Sequence, residues 1–160
     1  MNDIVLRSAG PEDVALLCRL NRPVQALHHA AMPHRYKPAS AGTDVAAFFT
    51  TTLTAPDNFF VLAFCEDVPA GYVYVERRDH AETPFTYAAR SHYVHHLAVE
   101  PDFRRHGVGR ALMAAVERAA RADGADAIQL DFWSFNGGAR TFYEALGYTE
   151  YNKRYWKLLR

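Results

Sequence analysis

The stretch Arg104-Arg105-His106-Gly107-Val108-Gly109-Arg110 constrains this chain more than any other. An apolar strand-like run, Val94 to Val99, leads toward it, and a strongly amphipathic helical pattern leaves it at Val108. A strand that turns through two glycines into a helix implies a layered fold in which the helix packs back on a sheet. The turn also suits phosphate. The first N–H groups of a helix have no carbonyl partner and carry the positive end of its dipole, so they can donate to phosphate oxygens. Gly107 and Gly109 let the backbone approach an anion closely, and Arg104, Arg105 and Arg110 flank them.

Two familiar phosphate motifs have to be set against this reading. A nucleoside-triphosphate loop needs Lys and then Ser or Thr after its last Gly, whereas Gly109 is followed by Arg110 and Ala111. A dinucleotide fingerprint needs a third small residue where Leu112 stands, and it enters its first Gly straight from the strand. Here Glu100-Pro101-Asp102-Phe103 intervene. Asp131 lies about where a ribose-binding acid would, which keeps the dinucleotide reading as a rival.

At 160 residues, 49% of them hydrophobic, the chain suits one domain, 1–160, with a real core. Lys plus Arg and Asp plus Glu both total 18, so no global basic field argues for nucleic acid or an anionic membrane. Cys18 and Cys65 have no paired framework and read as buried reduced thiols. Neither a basic segment followed by an apolar run at Met1-Asn2-Asp3 nor a bilayer-length apolar stretch is present, and a cytoplasmic location is the plain expectation.

Along the chain, Ile4 to Ser8 reads as a strand and Pro11-Glu12-Asp13 as the first turn of a helix that Pro23 interrupts before Val24 to Ala31 resumes it. Thr43-Asp44 caps a second helix bearing Val45, Phe48, Phe49 and Leu53. Phe59 to Cys65 and Gly71 to Arg77 read as an antiparallel hairpin, joined through Glu66-Asp67-Val68-Pro69-Ala70. Residues 79–92 are polar without a clean period, and Tyr93 to Val99 is the strand before the glycine turn. A helix then runs to Gly124. Ala127 to Phe135 follows as a strand, Gly138 to Leu146 as a short helix, and Tyr148 to Leu158 as a final strand. Hairpins early and strand–helix–strand units late predict an α/β (α+β) fold, a mixed and mostly antiparallel sheet flanked by helices on both faces.

The run from Val94 through Met113 resembles the central motif of the GNAT N-acetyltransferases: a strand ending like Leu97-Ala98-Val99, a Pro, then Arg, two variable residues, Gly, one variable residue and Gly. A later run, Asn136-Gly137-Gly138-Ala139-Arg140-Thr141-Phe142-Tyr143-Glu144-Ala145-Leu146-Gly147-Tyr148, resembles the family's Asn…Ala…Phe-Tyr…Leu-Gly segment. The opening, Leu6-Arg7-Ser8-Ala9 with Pro11, Asp13, Leu16 and Leu17, is similar to its first strand and helix. The resemblance implies acetyl-CoA as cosubstrate and no metal. It also implies a splay between the strand before the glycine turn and the next strand, where the pantetheine arm lies and Leu97 to Val99 offer backbone partners. The turn from Arg104 through Arg105, His106, Gly107, Val108 and Gly109 to Arg110 would hold the pyrophosphate. Asn136 resembles a CoA-contacting asparagine, and a helix cap is an equally natural use of it.

Acetyl transfer from a thioester to an amine needs a neutral nucleophile, a place for the developing oxyanion and a proton for the departing thiolate. An alkylamine, with an unperturbed pKa of about 10.4, must lose a proton first, and histidine is the natural acceptor. Period-two alternation points Tyr93, His95 and Leu97 one way and Val94, His96 and Ala98 the other, unless a bulge breaks the count. His95 is the expected base, since some GNAT enzymes carry His or Glu there. A surface histidine without a catalytic role would look the same. Tyr143 stands where the family has its tyrosine general acid, a position that also suits a core tyrosine packed with Phe142 and Leu146.

His28, His29, His34, Tyr36 and Lys37 fall where the family builds the acceptor side of its cleft, and no Cys or close carboxylate completes a zinc set around them. The expected activity is direct attack by a small-molecule or peptide amine in a ternary complex, with a homodimer left open. The alternative from another class is a non-catalytic acyl-CoA-binding or sensing module.

Overall fold

The computed structural model describes residues 3–39 and 43–159. Strands β1 (Ile4–Ser8), β2 (Asn58–Cys65), β3 (Val68–His80), β4 (Ala89–Val99) and β5 (Ala127–Leu130) lie in chain order in one sheet. The first four are antiparallel neighbours and β4 pairs with β5 in parallel. Helices α1 (Val14–Ala31) and α2 (Thr43–Thr54) cover one face, while α3 (Val108–Ala122) and α4 (Gly137–Glu144) cover the other. This is the mixed, mostly antiparallel sheet that the sequence pattern predicts. Thr43 opens α2, its side chain lying outside the described residues.

Each face has its own core. Val73, Val75, Val94, Leu112, Met113 and Val116 are buried under α3 and α4, and Leu17, Leu20, Phe49, Phe60, Leu62 and Tyr72 under α1 and α2. Alternate residues of β3 feed the two, as a pleated strand covered on both sides requires. The β2–β3 connection is tighter than expected. Only Glu66 and Asp67 turn the chain, both with positive φ (49° and 64°), so the two-residue hairpin geometry is met by non-glycine residues. Pro69 is accommodated at the register shift next to Ala63/Phe64.

Four expectations change. Pro23 does not interrupt α1, which is continuous because Leu17 and Leu20 anchor one stripe of it in the core, and packing outweighs one lost backbone bond. β3 and β4 run further than expected, to His80 and from Ala89. β5 ends at Leu130 rather than Phe135. Residues 148–158 form no strand. Their β-forming side chains require a partner edge, but β5 offers only four residues, and Glu150, Lys153 and Arg154 instead pair at the surface with one another, Arg140 and Asp131.

Candidate active site

The glycine turn forms as the helix-start argument requires. Gly107 takes φ +89° and its carbonyl accepts from the Ala111 N–H at 2.9 Å, so the N–H groups of Val108, Gly109 and Arg110 lie ahead of the first intrahelical bond. Arg105 is also left-handed, at φ +68°. The two glycines serve different ends. Gly107 is required by its conformation, whereas a Cβ on Gly109 would stand 3.2 Å from the Phe142 ring, so that glycine lets α4 pack against the start of α3. Arg105, His106 and Arg110 are exposed, and Arg104 reaches back to donate from Nε to the Val99 carbonyl at 3.3 Å.

Beside this turn the sheet opens. Pairing between β4 and β5 runs from Ser91↔Ala127 to Val94↔Leu130 and stops there, so β4 continues from His95 to Val99 without β5. Leu97 and Val99 lie on this unpaired stretch, and their side chains pack with the α3 core.

At the head of the gap β4 bulges. Opposite Tyr74 and Val75 of β3 stand His96 and Val94, leaving His95 as the extra residue. Strict alternation therefore fails. His95 and His96 do not separate to opposite faces but both meet Tyr74, at ring distances of 4.7 and 5.5 Å. The two imidazoles nevertheless differ. His95 Nε2 is 2.7 Å from Glu76 Oε2, and its ring stacks on Tyr74. Burial works against ionisation of Glu76, but hydrogen bonds from His95 and Arg78 outweigh it and hold the carboxyl below the usual range. With Glu76 as acceptor, His95 carries its proton on Nε2 and its Nδ1 is left as an acceptor.

His96 turns inward among Phe48, Phe49 and Tyr72. The Tyr72 hydroxyl donates to Asn21 Oδ1 at 3.0 Å and lies 3.0 Å from His96 Nδ1. With that proton committed, Nδ1–H donates to Tyr72 and Nε2 is left bare. Burial, followed by the nearby charges of His95 and His28, pushes the His96 imidazole down to about 4. The third histidine, His92, is buried beneath α3. Its Nε2 is 3.0 Å from Asp123 Oδ2, but not aligned as a hydrogen bond, and burial lowers its pKa.

Tyr143, on α4, is 9% exposed, with Phe142, Tyr148 and Phe132 at 5.1, 5.7 and 5.8 Å. Burial, then Tyr148, raises its phenol well above the ordinary value, so it stays protonated. Asn136 caps α4, its Oδ1 accepting from the Ala139 N–H at 3.3 Å.

Away from the gap, α1, the following loop and α2 enclose a cavity of about 360 Å³ that includes Cys18, Asn21, Arg22, Gln25, Arg35, Lys37 and Asp44. A second, of about 220 Å³, shares Asn21, Gln25, Asp44 and Val45 with it and reaches Phe48, Phe49 and His96. Tyr36 lines the first, with His28 stacked on its ring at 4.9 Å, while His34 stacks on Trp156. Cys18 is therefore only partly buried and beside the cleft, where the sequence suggested a buried thiol; Cys65 is buried. Glu76, Tyr72, Asn21 and Arg22 escape a sequence reading, because strand register and helix docking bring them to the histidines.

The family model described as acetyltransferase (GNAT) matches residues 24–148. No curated protein matches the chain. Among solved structures, a mutant protein from Bacillus halodurans superposes with a TM-score of 0.87 at 22% identity, over 96% of this chain and 98% of that one. The aminoglycoside N-acetyltransferase AAC(6')-Iy in complex with CoA gives 0.78 at 19% identity, over 100% and 97%. A predicted acetyltransferase with acetyl-CoA from Clostridium acetobutylicum gives 0.72 at 17%, over 99% and 96%. At these identities the structures share the fold.

Proposed function

Because the chain belongs to the GNAT acetyltransferase family, we propose that it transfers the acetyl group of acetyl-CoA to a primary amine by direct attack in a ternary complex. The observation that carries this reading is the unpaired stretch of β4 from His95 to Val99. It has the glycine turn at one end and the His95–Glu76 pair at the other. The fit to acetyl-CoA rests on two features. Backbone N–H groups at Val108, Gly109 and Arg110 await an anion, and the strand edge at Leu97 and Val99 is free to pair with an amide-bearing arm. Arg104, Arg105 and Arg110 add local positive charge and His106 a ring donor, and Asn136, besides capping α4, contributes an amide beside the arm. CoA supplies an activated thioester.

The remaining steps fall to side chains. His95 Nδ1 takes a proton from the incoming ammonium, directly or through one water, while Glu76 fixes the tautomer and stabilises the imidazolium. Tyr143 gives its phenolic proton to the departing thiolate. Burial raises the Cys18 and Cys65 thiols, which supports direct attack over a cysteine acyl-enzyme.

Incubation with acetyl-CoA and a panel of amines, read by release of free thiol, tests the activity. Thermal shift with acetyl-CoA, ATP and NAD tests the cosubstrate, since a molecule bound by the native state raises the melting temperature. Stabilisation by acetyl-CoA without transfer to any amine would indicate an acyl-CoA-binding module. Stabilisation by NAD alone would overturn the reading altogether.

A further inference from the structure

The cleft between α1 and α2 has a sign. Of the charged side chains lining its larger cavity, Arg22, Arg35 and Lys37 are cationic and only Asp44 is anionic. Lys37 already faces Asp44 at 3.5 Å. Arg22 and Arg35 have no carboxylate partner among the described residues, and Arg35 lies over the rings of Trp133 and Trp156 at 5.0 and 5.8 Å. In a chain with 18 cationic and 18 acidic side chains, an excess of two guanidinium groups at one concavity is a local feature rather than a reflection of composition.

These cations are continuous with the chemistry. Asn21 and Gln25, one helical turn apart on α1, belong to both cavities. Asn21 also accepts from Tyr72, whose hydroxyl meets His96. Arg22 is the next residue along α1, so an anion there would lie close to the apolar wall of Phe48 and Phe49 that leads to the histidines. Gln25 Nε2 donates to the Lys37 carbonyl at 2.6 Å, which ties the loop carrying Arg35 to the helix carrying Arg22.

Resting on the acetyltransferase reading above, we propose that the acceptor is an amine that also bears an anionic group, a carboxylate or a phosphate, held by Arg22 and Arg35. A guanidinium presents a planar fork of donors matched to either anion. The amine would then point along Phe48 toward His95 and His96. A polycationic acceptor would meet charges of its own sign on entering, so the aminoglycosides named for structures of this fold are the wrong class here.

Four matched probes decide this: benzylamine, 4-(aminomethyl)benzoate, the corresponding phenylphosphonate, and neamine as the polycation. The expected result with acetyl-CoA is a kcat/KM at least ten-fold higher for one or both anionic amines than for benzylamine, and lowest for neamine. The two anionic arms separate carboxylate from phosphate recognition. Arg22→Glu should abolish the preference through KM and improve neamine, with acetyl-CoA thermal shift confirming that the variant is folded.

Equal use of benzylamine, better use of neamine, or an unchanged preference in Arg22→Glu would overturn the proposal while leaving the acetyltransferase reading intact. If acetyl-CoA neither binds nor is consumed, the acetyltransferase reading itself fails. Should acetyl-CoA bind and no probe turn over, direct titration with benzoate and phenylphosphonate, followed by NMR, still decides. Arg22-dependent binding supports the anion site, and its absence sinks it.

Discussion

The two faces of the sheet are built from the same strands and differ in kind. Beneath α3 and α4 the packing is mainly aliphatic, with Val73, Val75, Val94, Leu112, Met113 and Val116 closing it. Beneath α1 and α2 the core carries hydroxyls and imidazoles: Tyr72 bonded to Asn21 and His96, and Tyr74 stacked on His95. The extra residue in β4 makes the difference. By breaking the alternation at His95, the bulge adds an imidazole to the second face without removing Val94 from the first. One face holds the sheet and the helix that starts at the glycine turn, and the other carries the bonded hydroxyl and imidazole groups.

If that division holds, cutting a large side chain from the aliphatic face should lower stability and spare kinetics. Leu112→Ala is expected to cost about 3–4 kcal/mol in urea denaturation, with kcat nearly unchanged where the variant is folded. A parallel loss of kcat at full folding would break the comparison.

The polar face should reveal itself in pH. His96 is pushed down to about 4 in the folded protein, against about 6.5 in an unfolded chain, so the unfolded state binds its proton more tightly. The stability this group permits is complete above about pH 6.5 and drains away as pH falls toward about 4, by about 3 kcal/mol at most. Denaturation series across this window should slope for the wild type and slope less steeply for His96→Gln, with His92 and His28, also held down by burial, keeping part of the slope. Identical slopes would refute the assignment. Asp13, held down by its 2.7 Å bonds to Arg7, loses its contribution at lower pH, below the ordinary carboxylate range, and leaves this window clear.

Tyr143 is the exception that sharpens the contrast, since it packs on the aliphatic face yet is assigned a proton. Tyr143→Phe keeps the ring and should lower kcat about 100-fold with acetyl-CoA affinity nearly kept. Wild-type turnover would return it to packing alone. The smallest effect is expected at the imidazole–carboxylate pair. His95→Gln should lower kcat/KM about ten-fold, and adding Glu76→Gln should cost little more, because the two act as a unit. Additive losses would mean that Glu76 works independently. His96→Gln, which shares this face, is no inert control for His95.

Local signals carried much of this into the sequence. The glycine turn, α3, β1 and the mixed, mostly antiparallel character of the sheet follow from periodicity and turn chemistry over short windows. What escaped depends on pairing. The bulge exists only in the register of β4 against β3, so alternation in β4 alone sent His96 to the wrong face. Glu76 looks like the polar end of an apolar strand until that register places it against His95. The aromatic residues after Tyr148 read as a strand because propensity says nothing of whether an edge is there to receive them.

The interrupted pairing of β4 has a further consequence, for solubility. Five residues of bare strand, from His95 to Val99, would on an outer edge invite a neighbouring chain to add itself and begin a fibre. Here β3 occupies one side of that stretch, β5 follows β4 in the sheet, and the other side is closed at one end by the Val94–Leu130 pair, where strands stand at the usual spacing of about 4.8 Å. An opening closed at one end and inside the sheet receives a thin, single molecule more readily than a second sheet. The unpaired stretch thus lies within the sheet rather than along its outer edge, where a neighbouring chain would add itself most easily.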